Sequence, residues 1–337
     1  MTQVDRYYDN TRIQEFRACP RKFYFRHIRD WSHGGFSPPL LFGSSWHAAM
    51  DTLWPVFAEG DNSQNMTTED LAQVGFLGFM QEWEDGNGPD VSEMAIDEVK
   101  FLEPRTPMIA LEMLYAYIDE RRSLFQRDSF ELLAVEQPFA VPLDPDDETL
   151  FYVGRLDKVI SLGGDIIVVE HKTSSLYKKN GPFRSTFTDS FSPNSQIDGY
   201  LHAAHMLYGE KAKAIWIDGA LVHKTIHDGF AIIPIERQLS QLDAWLWECR
   251  SWIDNIEGNW AALDAEDNVH DAKYMAAFPK NTSACQDFAR NCPYIDLCKM
   301  WSNPSIRMDT PPGFDKEHWS PFDRLNLDKL GLENKGA

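Results

Sequence analysis

The spacing of apolar residues changes character near Glu131, and that change divides the chain. Residues 10–30 predict a helix, with Ile13, Phe16, Phe23 and Ile28 as its apolar positions and Asn10 or Thr11 as its cap. Gly34, Gly35, Pro38 and Pro39 predict a loop, and a second helix is expected from near Gly43, carrying "SSWHAAMDTLWPVF". "TTEDLAQVGFLGFMQEW" and "PMIALEMLYAYIDERRSLF" are amphipathic helical patterns, the first behind a threonine cap. From Glu131 onward the apolar runs are short and β-branched. "FELLAVEQPFAVPL", "LFYVGRLDKVISL" and "DIIVVEHKT" predict adjacent strands separated by turn residues. The polar stretch from Ser174 to Ser195 reads as a loop, too long and too rich in Gly and Pro for core. A helix "QIDGYLHAAHML", two strands "AKAIWIDGALV" and "GFAIIPIE", and a long helix "QLSQLDAWLWECRSWIDNI" follow.

That order predicts an α/β fold, with a central mixed β-sheet wrapped by helical insertions. Four regions are expected: a helical region over 1–130, the sheet and its helices over 131–260, a cysteine-bearing segment over 261–300, and an extended tail over 301–337.

Composition narrows the function class. The chain has 337 residues, 43% of them hydrophobic and 25% charged, as in soluble globular proteins. It contains no apolar run of membrane-spanning length, and its polar N-terminus is not a signal peptide, so a cytoplasmic location and no membrane partner are expected. A net charge of −20 argues against coating nucleic acid by charge alone. It leaves room for a local basic groove: Arg12, Arg17, Arg21, Lys22, Arg26 and Arg29 follow one another with Glu15 the only acid among them. A solvated helix face is the competing account of that run.

The candidate chemistry begins in "DIIVVEHKTSS". Successive strand side chains alternate faces, so Glu170 and Lys172 share one face at the end of a core strand. Asp157 lies on the preceding strand, and a hairpin across "SLGGD" would bring it to Glu170. Two converging carboxylates repel unless positive charge lies between them, and a hard divalent cation such as Mg²⁺ or Mn²⁺ is the usual solution. Lys172 could then orient water or offset charge on a phosphate. A surface Glu–Lys pair beside an unrelated Asp is the alternative. His47, in "GSSWHAAMD", could add a ligand, although a lone helical histidine is more often packed or solvated. Gln196 and Tyr200 are four apart on one helix face, placed either to contact substrate or to tie the helix to the sheet.

In this order, His47, Asp157, Glu170-His171-Lys172, and Gln196 with Tyr200 resemble the PD-(D/E)XK nuclease superfamily, specifically its RecB-type branch. That branch includes the AddB and RecB nuclease domains and the iron–sulfur exonucleases of CRISPR adaptation. "RIQEFRACPRKFYFRHI" is similar to the branch's N-terminal helix, and the likeness runs from residue 12 to residue 298. The resemblance implies a restriction-endonuclease-like sheet and a Mg²⁺ or Mn²⁺ ion held by His47, Asp157, Glu170 and the His171 carbonyl. It implies Lys172 as the catalytic lysine, Gln196 and Tyr200 as the motif that places substrate or lysine, and Glu136 as a further acidic position. "LD" at Leu156-Asp157 stands where the superfamily name has "PD".

Part of the branch carries a [4Fe–4S] cluster on one early and three late cysteines, and Cys19, Cys285, Cys292 and Cys298 fit that layout. Zinc on the same four thiolates, or four unliganded cysteines, are the other readings; no Cys-x-x-Cys knuckle is present. Cys249 has no place in the pattern and reads as core.

The expected function is a metal-dependent deoxyribonuclease, an exonuclease on single-stranded DNA ends with flap or endonuclease activity. Arg17, Arg21 and Lys22, with Lys178, Lys179 and Arg184 in the long loop, are the expected DNA contacts. Replication, recombination or CRISPR-adaptation proteins are the expected partners. The alternative is a non-catalytic DNA-binding or recombination partner built on the same scaffold.

Overall fold

In the computed structural model, which describes residues 6–59, 66–265, 273–287, 290–307, 309–320 and 330, the helix expected over residues 10–30 breaks at Cys19. A short strand that the sequence pattern does not predict, β1 (Arg6–Tyr8), precedes it. Helix α1 (Asn10–Ala18) is capped by Asp9, one residue before the expected caps; the Asp9 carboxylate accepts the Arg12 N–H at 2.9 Å. Pro20 ends the helix. Proline disfavours helical backbone in the residue before it, and Cys19 is extended at φ −162°, ψ 109°. One helical turn, Pro20–Phe23, and a wider π-type turn, Tyr24–Ile28, complete the segment.

Helix α2 runs Pro38–Ala58, starting ahead of Gly43 because a proline is well suited to the first helical turn. Helix α3 (Thr68–Asp85) opens on a capping box of Thr67 and Asp70. Helix α4 (Ile96–Leu102) is short and unpredicted, and α5 spans Pro107–Phe125. The expected strands follow: β2 (Phe130–Pro142), β3 (Leu150–Leu162) and β4 (Asp165–Ser174). Helix α6 (Ser195–Tyr208), strands β5 (Ala212–Leu221) and β6 (Phe230–Ile235), and helix α7 (Leu239–Ala265) close the pattern.

Two compact units result. The first combines Met1–Gly35, Pro138–Gly154 and Leu239–Ala337; the second combines Phe36–Gln137 and Arg155–Gln238. Within the first, β1 runs parallel to the start of β3, with Arg6 beside Leu150 and Tyr8 beside Tyr152. Phe16, Phe23, Tyr24 and Phe278 cluster their rings there. The described part of the expected tail carries one helical turn, Pro304–Ile306, and a ribbon pairing Asp315–Lys316 with Trp31–Ser32. Residues 321–329 and 331–337 of that expected tail lie outside the described residues.

The second unit holds most of the mixed sheet. Strands β3 and β4 are antiparallel, β5 joins β4 in parallel, and β6 returns antiparallel to β5, while β2 pairs with β3. Alternation sorts β4 cleanly. Ile167 and Val169 face a core built with α2, α3 and α5, whose members include Trp46, Leu53, Trp54, Phe79, Leu114 and Tyr117. Glu170 and Lys172 face the opposite way, toward α6. The Ser174–Ser195 stretch departs from its expected role as a purely polar loop. It contains a hairpin of Tyr177–Lys178 with Gly181–Phe183, and it buries Phe183, Phe187 and Phe191. Gly219 on β5 makes room for them, since a Cβ there would meet the Phe183 and Phe187 rings at 3.1 and 3.2 Å. Among the described residues, no helix is long and apolar enough to cross a membrane.

Helices α2 and α3 pack through a seam of small residues. A Cβ on Gly78 would stand 2.4 Å from Thr52 Oγ1 and 2.7 Å from the Ala48 carbonyl oxygen, and that backbone oxygen cannot swing aside. Helix propensity alone favours alanine by about 1 kcal/mol. The contact reverses the sign: Gly78→Ala is expected to destabilise the protein by about 1–3 kcal/mol in urea unfolding. A stabilised Gly78→Ala would show that the two helices do not meet at this seam.

Candidate active site

Strand β4 delivers Glu170 and Lys172 to one side and His171 to the other, and β3 delivers Asp157. The hairpin register, Lys158 opposite Val169, brings Asp157 to the end of β4 where Glu170 lies. Asp157 Oδ2 accepts the His171 backbone N–H at 3.0 Å, and His47 Nδ1 on α2 lies 3.1 Å from the same oxygen. Glu170 Oε1 accepts the Lys172 ammonium at 2.6 Å. Lys172 also reaches Gln196 Oε1 at 3.4 Å, and Gln196 Nε2 donates to the Tyr200 hydroxyl at 3.2 Å. The Asn194 side chain caps α6 by accepting the Gln196 and Ile197 N–H groups, which fixes the turn that presents Gln196. His47, Asp157 and the His171 backbone thus form one set of contacts and Glu170, Lys172, Gln196 and Tyr200 another, the two joined along β4 within the second unit.

The electrostatics separate the two acids. Burial pushes the Asp157 carboxyl up, but the His47 imidazole and the Lys158 ammonium outweigh it and hold Asp157 well below the usual carboxylate range. Burial also pushes Glu170 up, the Asp157 charge adds to the rise, and Lys172 only partly offsets it. Burial lowers Lys172, yet Glu170 and Asp157 keep its ammonium above the ordinary lysine value. His47 is likewise raised, with Asp157 and Glu170 overcoming its burial. Carboxylates whose surroundings push them in opposite directions recur in acid–base sites.

Glu170 Oε2 is buried and has no hydrogen-bond partner. A buried, unpartnered oxygen on a carboxylate is costly, and it fits a hard cation, for which oxygen donors from Asp157 and Glu170 with His47 make a suitable set. Among the described residues no three His, Cys, Asp or Glu side chains stand as a ready set of metal ligands. His47 is turned onto Asp157 there, and Lys172 onto Glu170.

Lys158, Asp51 and Asp218 were not singled out in the sequence, whereas Glu136 was expected as a further acidic position. Lys158 is fully buried and pairs with Asp51, one helical turn after His47 on α2. Glu136, at φ 51° on β2, pairs with Arg155; burial and the Asp51 charge push its carboxyl up to about 7. Behind His171, Asp218 on β5 is held by Arg121 and Tyr117 of α5. Spacing could have suggested Asp51, four residues from His47. Asp218 carried a weaker sign, a carboxylate inside the apolar strand "AIWIDGAL".

The expected DNA contacts divide. Lys178, Lys179 and Arg184 are exposed on the hairpin after β4, where Arg184 Nε donates to the Tyr177 carbonyl at 3.0 Å. In the first unit, Arg17 is exposed over the Trp252 ring and Lys22 pairs with Glu15. Arg21 is only 3% exposed and donates to the Phe278 carbonyl at 2.9 Å, which keeps it from the surface. Cys19, Cys285, Cys292 and Cys298 line one small cavity with Lys22 and Lys280, and none forms a disulfide. The Asn281 N–H lies 3.4 Å from Cys19 Sγ. Cys249 is buried in α7, as expected for core.

Among curated proteins, none matches this chain. Among solved structures, one from Eubacterium rectale named "Putative exonuclease" is similar at a TM-score of 0.46 and 14% identity, covering 74% of this chain and 79% of that one. The family model of the PD-(D/E)XK nuclease superfamily matches residues 10–299. The chain belongs to the PD-(D/E)XK nuclease superfamily.

Proposed function

We propose that this nuclease-superfamily chain is a metal-dependent deoxyribonuclease that hydrolyses phosphodiester bonds at single-stranded DNA ends, with flap or endonuclease activity besides. The observation that carries the reading is Glu170: raised by burial and then by Asp157, bonded to Lys172 through one oxygen and bare on the other. His47, Asp157, Glu170 and the His171 carbonyl would hold Mg²⁺ or Mn²⁺. Such an ion, when bound, supplies Lewis acidity and lowers the pKa of a water. Lys172 holds its proton at Nζ, so its ammonium can meet charge developing on a phosphate oxygen. Gln196 steers that ammonium and Tyr200 steers Gln196, so the α6 pair acts on the reaction by orienting the lysine. Lys178, Lys179 and Arg184, exposed just beyond β4, are suited to an incoming phosphate backbone.

The four cysteines extend the proposal to a [4Fe–4S] cluster. Support comes from their common cavity, where burial raises the Cys292 and Cys298 thiols and the charges of Lys22 and Lys280 offset part of that rise. The cluster would tie the turn after α1 to the segment carrying Cys285, Cys292 and Cys298 within the first unit.

Three outcomes are expected. Lys172→Ala removes Mn²⁺-dependent degradation of single-stranded DNA by about 10²-fold or more while the folded circular-dichroism spectrum is kept; full activity in that variant would refute the catalytic assignment, and cleavage of end-labelled substrates separates exonuclease from endonuclease action. Replacing Lys178, Lys179 and Arg184 together by alanine lowers DNA affinity and flattens its dependence on salt. An unchanged salt slope would remove the hairpin from the DNA path. Protein purified without oxygen is brown and contains iron and sulfide, and Cys19→Ser bleaches it; a colourless zinc protein would decide for the rival metal.

A further inference from the structure

The core packed against the sheet by α2, α3 and α5 holds an island of buried charge at Asp218. Asp218 and Arg121 are no more than 5% exposed and pair at 2.7 Å through Arg121 Nη2 and Asp218 Oδ1. The Tyr117 hydroxyl donates to Asp218 Oδ2 at 2.6 Å, and Trp54 Nε1 donates to that hydroxyl at 2.9 Å. An ion pair in such surroundings is not justified by stability, because its desolvation cost rivals its attraction and an apolar replacement often folds as well or better. The location of this island offers another reason for it.

Asp218 is the partner of His171 in the parallel β4–β5 register. Its Oδ2 lies 3.6 Å from His171 Nδ1, and neither ring nitrogen of this fully buried histidine has a hydrogen-bond partner. The ring is also flanked edge-on by Trp54 at 5.3 Å, and Trp54 belongs to the same hydrogen-bonded chain. On its backbone, His171 donates to Asp157, and its two neighbours in sequence are Glu170 and Lys172. The Asp218 carboxylate and the Trp54 ring thus pack, without a hydrogen bond, against the side chain of the residue whose peptide separates Glu170 from Lys172.

We propose that Asp218 is a positioning residue for the nuclease site, acting through the His171 ring to hold β4 where Asp157 and Glu170 converge. Arg121 and Tyr117 keep both Asp218 oxygens engaged, so the carboxylate cannot turn away. Asp218 touches neither substrate nor metal in this role. The inference rests on the metal-site reading above and adds to it a residue on the strand beyond the catalytic pair.

The test titrates Mn²⁺ against the whole protein, reading free Mn²⁺ by its paramagnetic resonance and, separately, the Mn²⁺ concentration that half-saturates DNA cleavage. Asp218→Asn is expected to weaken Mn²⁺ binding about tenfold, the scale typical of residues that orient metal ligands. The loss should fall on half-saturation rather than on kcat. Tyr117→Phe, which deletes one hydrogen bond with little change of shape, should shift binding the same way by less, and it carries the test if Asp218→Asn does not fold. In a His171→Leu background Asp218→Asn should add nothing further. A lowered melting temperature with wild-type Mn²⁺ affinity in either variant overturns the proposal, as does an effect that simply adds to that of His171→Leu. Glu170→Gln separates the two levels. If only Glu170→Gln loses Mn²⁺, the positioning role fails alone; if Glu170→Gln binds Mn²⁺ like the wild type, the metal-site reading fails and takes the positioning role with it.

Discussion

Two carboxylates brought together away from water repel each other, and the surroundings of Asp157 and Glu170 answer to that constraint. Each acid is met by a different positive group of the protein, His47 for one and Lys172 for the other. A second tier of charge lies just beyond, where Lys158 pairs with Asp51 and Arg155 with Glu136. The result is a graded field. Asp157 is held ionised, Glu170 is pushed toward its neutral form, and the lysine between Glu170 and α6 keeps its proton. Burial sharpens the interactions made by the Asp157 and Glu170 carboxylates, whereas Arg155 and Glu136 keep partial access to water.

Much of this was legible in the sequence because it depends on short-range rules. Strand alternation put Glu170 and Lys172 on one face, helical spacing stacked Gln196 on Tyr200, and "SLGGD" announced the hairpin that brings Asp157 into place. What the sequence did not disclose depends on distant partners. Asp218 and Arg121 are 97 residues apart, so no local period links them. Arg21 belongs to a run of cations that suggests an exposed groove, yet its guanidinium is taken by a carbonyl 257 residues away. Phe183, Phe187 and Phe191 occupy a stretch whose Gly and Pro content suggests solvent, and the bare backbone of distant Gly219 is what leaves room for the first two rings. The break at Cys19 was legible from Pro20, but a period read across residues 10–30 passes over it.

The two units differ in how they are held. The second has a large continuous core between the sheet and α2, α3 and α5, which suits a site whose parts must not drift. The first is assembled from three separated stretches of chain, so its closure depends on contacts between residues far apart in sequence. Long closures carry an entropy cost that grows slowly with length, and covalent or metal links offset it most directly. Cys19 and the three late cysteines belong to two of those stretches and meet at one cavity. The aromatic contacts of Phe278 with Phe16, Phe23 and Tyr24 join the same two stretches by apolar packing alone.

The unequal treatment of the two acids bears on how Lys172 could work. An ammonium bonded to a buried carboxylate at 2.6 Å is stabilised where it is, and a phosphate must compete with that carboxylate for it. Gln196 offers a neutral acceptor at 3.4 Å on the far side, weak enough not to trap the amine and fixed by Tyr200 and the Asn194 cap. Under the proposed reading, positive charge supplied at the bare Glu170 oxygen would weaken the hold of that carboxylate on Lys172. The lysine could then turn to substrate along a path that α6 already defines. The raised Glu170 and the rigid α6 turn are, in this view, two parts of one arrangement: the first limits how tightly the lysine is held, and the second limits where it can go.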